Sequence, residues 1–454
     1  MYKVLRWLIG LAMGFYFRRI DRFHAERVPA SGPILFTSNH PNSLTDSFVI
    51  GASVPRKVSF VATVQLFRFA PLKWALLRCG VIPINRVKDN PRAMKTVTDA
   101  FEACFRVLET GEAVGIFPEG ITYDDANLKE IKSGAARMAL ELEHRHQGKL
   151  GLKVAPVGLT YSAKEIYRSD VLVHFGEPIN AADFLAGYQE RRKDCINRLT
   201  DEIERRIASL IVHLPRLEHE RVVAGVKRLY FDRFRVGHLP GESSLPRSEE
   251  LVLTQRIIKA VEDIYATDPQ RADAFAARLD TYERWLARFR FSDEDLAAFK
   301  SKRQFLLRSL AGAVFAVLGA PISLYGWVHR LIPYFVVRFA ANKLAEPGKK
   351  KAQTSTASIL SGLIAFALCY AVFILIFHSI FGWPASLWYA LSLPAASLLA
   401  HYYLRESRRW LRSLRHLFVL LRASGVRRRL LKLRQELIAE IEAAHAQKSL
   451  ALPS

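Results

Sequence analysis

Pro33-Ile34-Leu35-Phe36-Thr37-Ser38-Asn39-His40-Pro41-Asn42-Ser43-Leu44-Thr45-Asp46-Ser47-Phe48-Val49-Ile50-Gly51-Ala52 sets one short apolar run, a polar loop and a second apolar run side by side. An apolar run of this length bounded by turn formers reads as a buried strand, which puts His40 on a loop at a strand's carboxyl end. Open α/β sheets place their sites at such ends. A histidine whose ring is held by a carboxylate keeps its other nitrogen free to take a proton from an alcohol near neutral pH. Asp46 is the candidate carboxylate, and Asn39, Asn42 and Ser43 also suit a turn or a helix N-cap.

Three further clusters lie downstream. Gly80-Val81-Ile82-Pro83-Ile84-Asn85-Arg86 is an apolar strand that ends in a charge, and the planar guanidinium of Arg86 suits phosphate oxygens. Gly115-Ile116-Phe117-Pro118-Glu119-Gly120-Ile121-Thr122 is a strand running into Gly120, where the missing Cβ lets a ligand come close to the backbone. Glu119 is placed either to pair with Arg86 or to bind a substrate hydroxyl. Val154-Ala155-Pro156-Val157-Gly158-Leu159-Thr160-Tyr161 has a buried-strand pattern, with Pro156 expected at the strand's start or at a bulge.

In order and spacing these four clusters resemble the motifs of the glycerolipid acyltransferases, over roughly residues 25 to 180. The resemblance implies a mixed α/β sheet covered by helices, with His40 as general base and Asp46 holding it. It implies that Arg86, Glu119 and Gly120 serve a phosphorylated acceptor and that Pro156 shapes the acyl-donor side. Asn42, Thr122 and Lys132 join that substrate-binding set, Lys132 lying in Ile131-Lys132-Ser133-Gly134-Ala135, which looks like the helix start after the third motif. Two departures stand out. Five residues separate His40 from Asp46 where most members have four, and Ile121-Thr122 replace the usual threonine and arginine. The longer spacing, with Asn42 two residues after the histidine, resembles the branch that acylates glycerol-3-phosphate or dihydroxyacetone phosphate. It also changes the direction of Asp46 by about a third of a turn if that residue lies on a helix, which bears on whether it reaches the ring.

Composition points to a membrane. Half of the 454 residues are hydrophobic, mean hydropathy is +0.06, and residues 352 to 404 contain no Asp, Glu, Lys or Arg. Ala357 to Phe377 and Ala385 to Leu404 are each long enough to cross a bilayer, with a turn at His378 to Pro384, so residues 352–404 read as a transmembrane hairpin. Residues 305–341 read as a re-entrant segment or paired short helices broken at Pro321, and residues 1–24 as an interfacial N-terminal helix. The catalytic domain is set at 25–182, a helical subdomain at 183–304 and a basic amphipathic tail at 405–454, which could lie on the membrane or pair with another chain. Basic stretches after each apolar region place the catalytic domain on the cytoplasmic face. Val64 to Leu77 is a second amphipathic candidate, either closing over an acyl chain or packing as an ordinary core helix.

Cys79, Cys104, Cys195 and Cys369 have no paired ligand spacing, which fits a reducing compartment without structural zinc. The net charge of +23 is not read as nucleic-acid binding: ten of those charges fall between His401 and Gln435, directly after the apolar hairpin, where anionic lipid headgroups attract them. The expectation is therefore a membrane-bound enzyme that moves an acyl group from acyl-CoA or acyl carrier protein to glycerol-3-phosphate, with dihydroxyacetone phosphate as a candidate second acceptor, and with no metal and no cofactor. A 1-acylglycerol-3-phosphate acyltransferase and a catalytically silent membrane scaffold are the alternatives.

Overall fold

The computed structural model describes residues 2–67, 70–84, 94–120, 128–164, 166–212, 217–231, 247–289, 293, 302–344, 350–422 and 424–449. The chain divides into two compact units, one of Met1–His213 with Val336–Ile364, the other of Leu214–Phe335 with Ala365–Ser454.

The first unit is built on a mixed sheet in the order β1-β7-β6-β2-β5-β3-β4, with β8 beside β6. Its strands are β1 (Arg19–Phe23), β2 (Ile34–Ser38), β3 (Val58–Thr63), β4 (Ile82–Ile84), β5 (Ala113–Ile116), β6 (Lys153–Tyr161), β7 (Asp170–Phe175) and β8 (Ile179–Asn180). β2 lies parallel to β5 on one side and β6 on the other, and every residue of β2 is buried. Its start, Ile34-Leu35-Phe36, fits that place, since parallel strands covered on both faces read as near-continuous apolar runs, and Thr37 and Ser38 are polar where the strand runs into the site. β7 and β8 run antiparallel to β6.

Period-2 alternation divides the core. Leu35, Val114 and Val154 face a cluster that includes α4 (Met94–Glu109), α5 (Gly134–Arg145) and α6 (Arg192–Leu210), with Phe105, Met138, Leu142 and Ile203 buried. Ile34, Phe36, Ala113, Ala155 and Val157 face the other way, into α1 (Tyr2–Tyr16) and α2 (Leu44–Ser53) through Met13, Phe17, Val49 and Ile50. α3 (Ala70–Arg78) leaves Trp74 and Leu77 exposed while Leu76 is buried.

Four boundaries differ from expectation. The helix expected over residues 1–24 ends at Tyr16, and residues 19–23 become the edge strand β1, paired with β7 and held by Arg18 on the Asp170 carboxylate. α6, placed in the helical subdomain from sequence, belongs with the sheet of the first unit: Cys195, Leu199, Ile203, Ile207 and Leu210 form a buried stripe at helical spacing, and α6 packs on β6 and on α5. Pro156 is neither at a strand start nor at a bulge but inside β6. It sits where β6 hands over from β8, paired at Lys153 and Val154, to β7, paired from Val157 onward. The N and O of one strand residue point to the same side, and the Pro156 carbonyl accepts from Gly176 in the connection between β7 and β8. The absent N–H therefore falls where no ladder partner needs it.

The fourth difference is in the apolar region. Residues 305–341 do not break at Pro321: α10 (Lys302–Leu344) is one helix through Pro321 and Pro333. An apolar helix tolerates proline when packing makes up for the lost hydrogen bond. α11 (Lys350–Arg422) is interrupted at Gly382, whose φ of 74° is not helical. Phe377 and Tyr389 stack at 4.2 Å, although twelve residues of straight helix would separate them by about 18 Å, so the chain doubles back at Gly382. Leu310–Lys343 and Thr356–Arg408 are long and apolar enough to cross a membrane, with mean hydropathy 1.6 and 2.7, and 11% of each apolar window is buried.

In the second unit α10 packs along the later limb of α11. Gly312, Gly319 and Gly326, seven residues apart, sit against Trp410, Tyr403 and Ala396, also seven apart, and the Tyr403 hydroxyl donates to the Ala316 carbonyl at 2.6 Å. Small residues at a repeating position let two helix backbones approach closely. A Cβ on Gly326 would press on the Ala396 backbone. Gly326→Leu is expected to cost about 1–3 kcal/mol and lower the unfolding temperature in detergent, whereas Ile322→Ala on the exposed side leaves it nearly unchanged; equal melting of the two variants would refute the close approach.

α7 (Glu220–Phe231), α8 (Arg247–Thr267) and α9 (Pro269–Phe289) complete this unit with α12 (Ser424–Ser449). The basic tail thus packs partly within its own chain instead of lying free: Leu430 and Leu437 are buried, Arg434 reaches the Asp293 carboxylate at 3.1 Å, and Glu440 accepts from Arg278 at 2.6 Å.

Candidate active site

The site begins where β2 ends. The side chain of Asn39 extends the β2–β6 ladder by one step, its Nδ2 donating to the Leu159 carbonyl at 2.9 Å and its Oδ1 accepting from the Leu159 amide at 2.8 Å. That fixes the direction in which the chain leaves the sheet. The next backbone amide, of His40, donates to Glu119 Oε1 at 2.9 Å, tying the loop after β2 to the turn after the neighbouring strand β5.

Asp46 lies in the first turn of α2, and its Oδ2 is 2.9 Å from His40 Nδ1. The five-residue separation is therefore bridged. Ser43 takes φ 52°, a conformation L-residues seldom adopt, and the chain turns there so that the Asn42 amide also donates to Asp46 Oδ2 at 2.8 Å. The Tyr161 hydroxyl donates to the other oxygen, Oδ1, at 2.7 Å. Burial first, and the Asp46 charge second, push the Tyr161 phenol well above its usual value, so it stays a proton donor.

An ionised carboxylate only accepts, so Nδ1 of His40 carries the proton toward Asp46 and Nε2 carries the lone pair. Nε2 has no partner among the described residues. The His40 side chain is 16% exposed against 0% for Asp46, so a buried carboxylate holds a ring that remains reachable. The ring lies flat on Phe117 at 4.0 Å and 13°, and Phe117 stacks in turn near Phe60. These contacts restrict the second ring torsion, which the hydrogen bond alone leaves soft.

Glu119 is buried, and its carboxyl is pushed up, chiefly by burial, with hydrogen bonds from the His40 and Lys129 amides acting against the shift. The pairing with Arg86 considered from sequence lies outside the described residues, as does Thr122. What the structure adds is the bond from the His40 backbone amide to Glu119. Gly120 has φ 73°, and a Cβ there would lie 2.8 Å from Lys132 Nζ, so the lysine ammonium closely approaches this turn. The Lys132 amide donates to the Pro118 carbonyl at 2.9 Å. His40, Asn42, Asp46, Glu119, Gly120 and Lys132 thus share one end of the sheet. Pro156 stands apart from them, paired in register with Thr37 and packed on Gly176.

Tyr161, Phe117 and Asn39 join the site only in the folded structure. Tyr161 was the most legible of the three, because a tyrosine closing an otherwise apolar strand brings a hydroxyl that needs a partner when buried.

Glu119→Gln separates charge from geometry, since the amide oxygen can still accept from the His40 N–H. A carboxyl raised in the folded state contributes stability that is present below its unfolded pKa and lost as pH rises through the folded one. The variant should therefore melt like the wild type near pH 4 and gain on it toward pH 7, while transfer activity falls. Melting curves across that range check this, and a variant that falls behind the wild type as pH rises would contradict it.

Residues 20–160 match the family model described as Acyltransferase. The chain is 31% identical over 360 residues to glycerol-3-phosphate O-acyltransferase 1 of Saccharomyces cerevisiae, covering 60% of this chain and 46% of the yeast protein. It is 26% identical over 265 residues to glycerol-3-phosphate O-acyltransferase 2 of the same yeast, covering 56% and 33%. Against a 1-acyl-sn-glycerol-3-phosphate acyltransferase of Borreliella burgdorferi it is 24% identical over 174 residues, covering 38% and 61%. The matches span less than half the length of the yeast proteins.

Proposed function

We propose that this chain, which carries an acyltransferase-family domain, moves a fatty acyl group from an acyl thioester to the hydroxyl of glycerol-3-phosphate. The observation that carries the reading is the His40–Asp46 contact of 2.9 Å at the end of β2, with the Nε2 face reachable. The yeast relatives, named as glycerol-3-phosphate O-acyltransferases, support this choice of acceptor.

In this mechanism His40 Nε2 takes the acceptor's hydroxyl proton as the oxygen attacks the thioester carbonyl. The tetrahedral intermediate collapses, the C–S bond breaks, and the imidazolium returns the proton to the leaving thiolate. One acyl–oxygen bond replaces one acyl–sulfur bond, and the proton moves from oxygen to sulfur. A thioester is already activated, so the transfer needs neither a cofactor nor a covalent enzyme intermediate. Asp46 stabilises the transient imidazolium and holds its tautomer. Lys132, next to Gly120, supplies positive charge for the acceptor phosphate, and Arg86 and Thr122 belong to the same binding role. Pro156 belongs to the acyl-donor side.

The two apolar helices support a membrane-bound enzyme, and the basic stretches after them favour the cytoplasmic face for the catalytic domain. Acyl-CoA and acyl carrier protein are both candidate donors, and dihydroxyacetone phosphate is a candidate second acceptor. Similarity to 1-acyl-sn-glycerol-3-phosphate acyltransferases keeps 1-acylglycerol-3-phosphate as the rival acceptor. Purified protein in lipid nanodiscs, given either donor with each of the three acceptors, decides among them. Product from glycerol-3-phosphate supports the proposal; product only from the acylated acceptor moves the enzyme one reaction later.

A further inference from the structure

We propose that Thr356, in the second turn of α11, is a positioning residue for the His40–Asp46 dyad, so that the first turn of the second membrane-length apolar stretch helps set the catalytic geometry. The inference rests on the dyad reading given above. Its basis is an incomplete helix end. The first amides of an α-helix have no partner within the helix, and a side chain at the N-cap ordinarily accepts from one of them. In α2 the N-cap residue, Ser43, makes no such side-chain bond.

The oxygen is supplied from 311 residues away. The Thr45 amide donates to Thr356 Oγ1 at 3.1 Å, and the two threonine hydroxyls lie 2.8 Å apart. Thr45 is completely buried, so without that oxygen its amide would lose a hydrogen bond that water cannot readily replace. Thr45 immediately precedes Asp46, and both stand in the first turn of α2. Three residues along α11, Ile359 is buried in the same core cluster as Val49 and Ile50 of α2, which locks the turn carrying Thr356 onto the helix carrying Asp46.

Thr356 is also the first residue of the second membrane-length apolar stretch. The point where that stretch begins is thus bonded to the residue next to the catalytic carboxylate. A displacement of α2 at this end moves Asp46 against a ring already pinned by Phe117, and catalytic geometry is sensitive to such shifts: a misplacement of about 1 Å can cost about 10²-fold.

The test uses the full chain in nanodiscs. Thr356→Val removes the hydroxyl and keeps the shape, while Thr356→Ser keeps the hydroxyl. The expected result is a kcat about tenfold lower for Thr356→Val, with KM for both substrates within about twofold of the wild type and kcat restored in Thr356→Ser. A double-mutant cycle with Asp46→Asn gives a readout that a merely structural role would not move. If Thr356 acts through Asp46, adding Thr356→Val to Asp46→Asn costs little more. A Thr356→Val enzyme with wild-type kcat, or losses that multiply in the double variant, would overturn the proposal. If the wild type transfers to none of the acceptors, or His40→Ala matches it, the dyad reading is what fails. Amide exchange over residues 42–49 then decides the contact without turnover: faster exchange in Thr356→Val than in Thr356→Ser supports it, and equal exchange overturns it.

Discussion

Replacing His40 with alanine is expected to lower kcat for acyl transfer by about 10³-fold while leaving acyl-donor binding nearly intact. The size follows from the geometry. His40 is a reachable imidazole with its Nδ1 bound to a buried carboxylate, and its free nitrogen is the base in the proposed transfer. An alcohol near neutral pH is a poor nucleophile, so loss of proton acceptance in the transition state falls on kcat and kcat/KM together. Donor binding is spared because the ring's contacts with the protein are Asp46 on its edge and Phe117 on its face. Initial rates with saturating donor, together with a direct binding isotherm for the donor, check both halves. Normal turnover in His40→Ala would remove the mechanism.

Asp46→Asn is expected to cost about 10²- to 10⁴-fold in kcat with little change in KM. Three donors converge on this carboxylate: the His40 ring and the Asn42 amide on Oδ2, and the Tyr161 hydroxyl on Oδ1. An asparagine has the same shape but one carbonyl oxygen, and its NH2 group must face at least one of those donors. If the NH2 faces the ring, the imidazole is driven to carry its proton on Nε2, where it can no longer act as a base. If it faces Tyr161, a part-buried hydroxyl loses its acceptor. Either arrangement also removes the negative charge that stabilises the imidazolium. Single-turnover rates, which separate chemistry from product release, give the cleanest reading. An Asp46→Asn enzyme within about threefold of wild type would show that the carboxylate neither orients the ring nor balances its charge.

Much of this site was legible because strand, loop and motif lie close together along the chain. Local pattern indicated that Ile34 to Thr37 is a buried strand and that His40 follows it on a loop, while the resemblance in motif order grouped Asp46, Glu119 and Gly120 with it, and the fold brings them together. The reversal near Gly382 was legible for the same reason, since a glycine and a proline interrupt a run without charges. The expected break at Pro321 was not: proline weakens one helical turn, but whether the helix survives depends on what packs around it, and α10 continues through it.

Order and spacing along the chain determined which residues resemble a family's motifs, and composition that long apolar stretches follow them. Only the tertiary structure decided how those residues are held. The stripe on α6 showed that some sheet face or helix must cover it, without saying which, so its place in the catalytic core emerged only on folding. Whether Asp46 could span five residues depended on the backbone turn at Ser43. Tyr161 reaches Asp46 across 115 residues and Thr356 reaches Thr45 across 311, through hydroxyls whose role depends on which buried donor or acceptor they meet. A sequence specifies periodicity and local propensity, whereas a hydrogen bond between distant segments exists only once the strands and helices that carry them have packed.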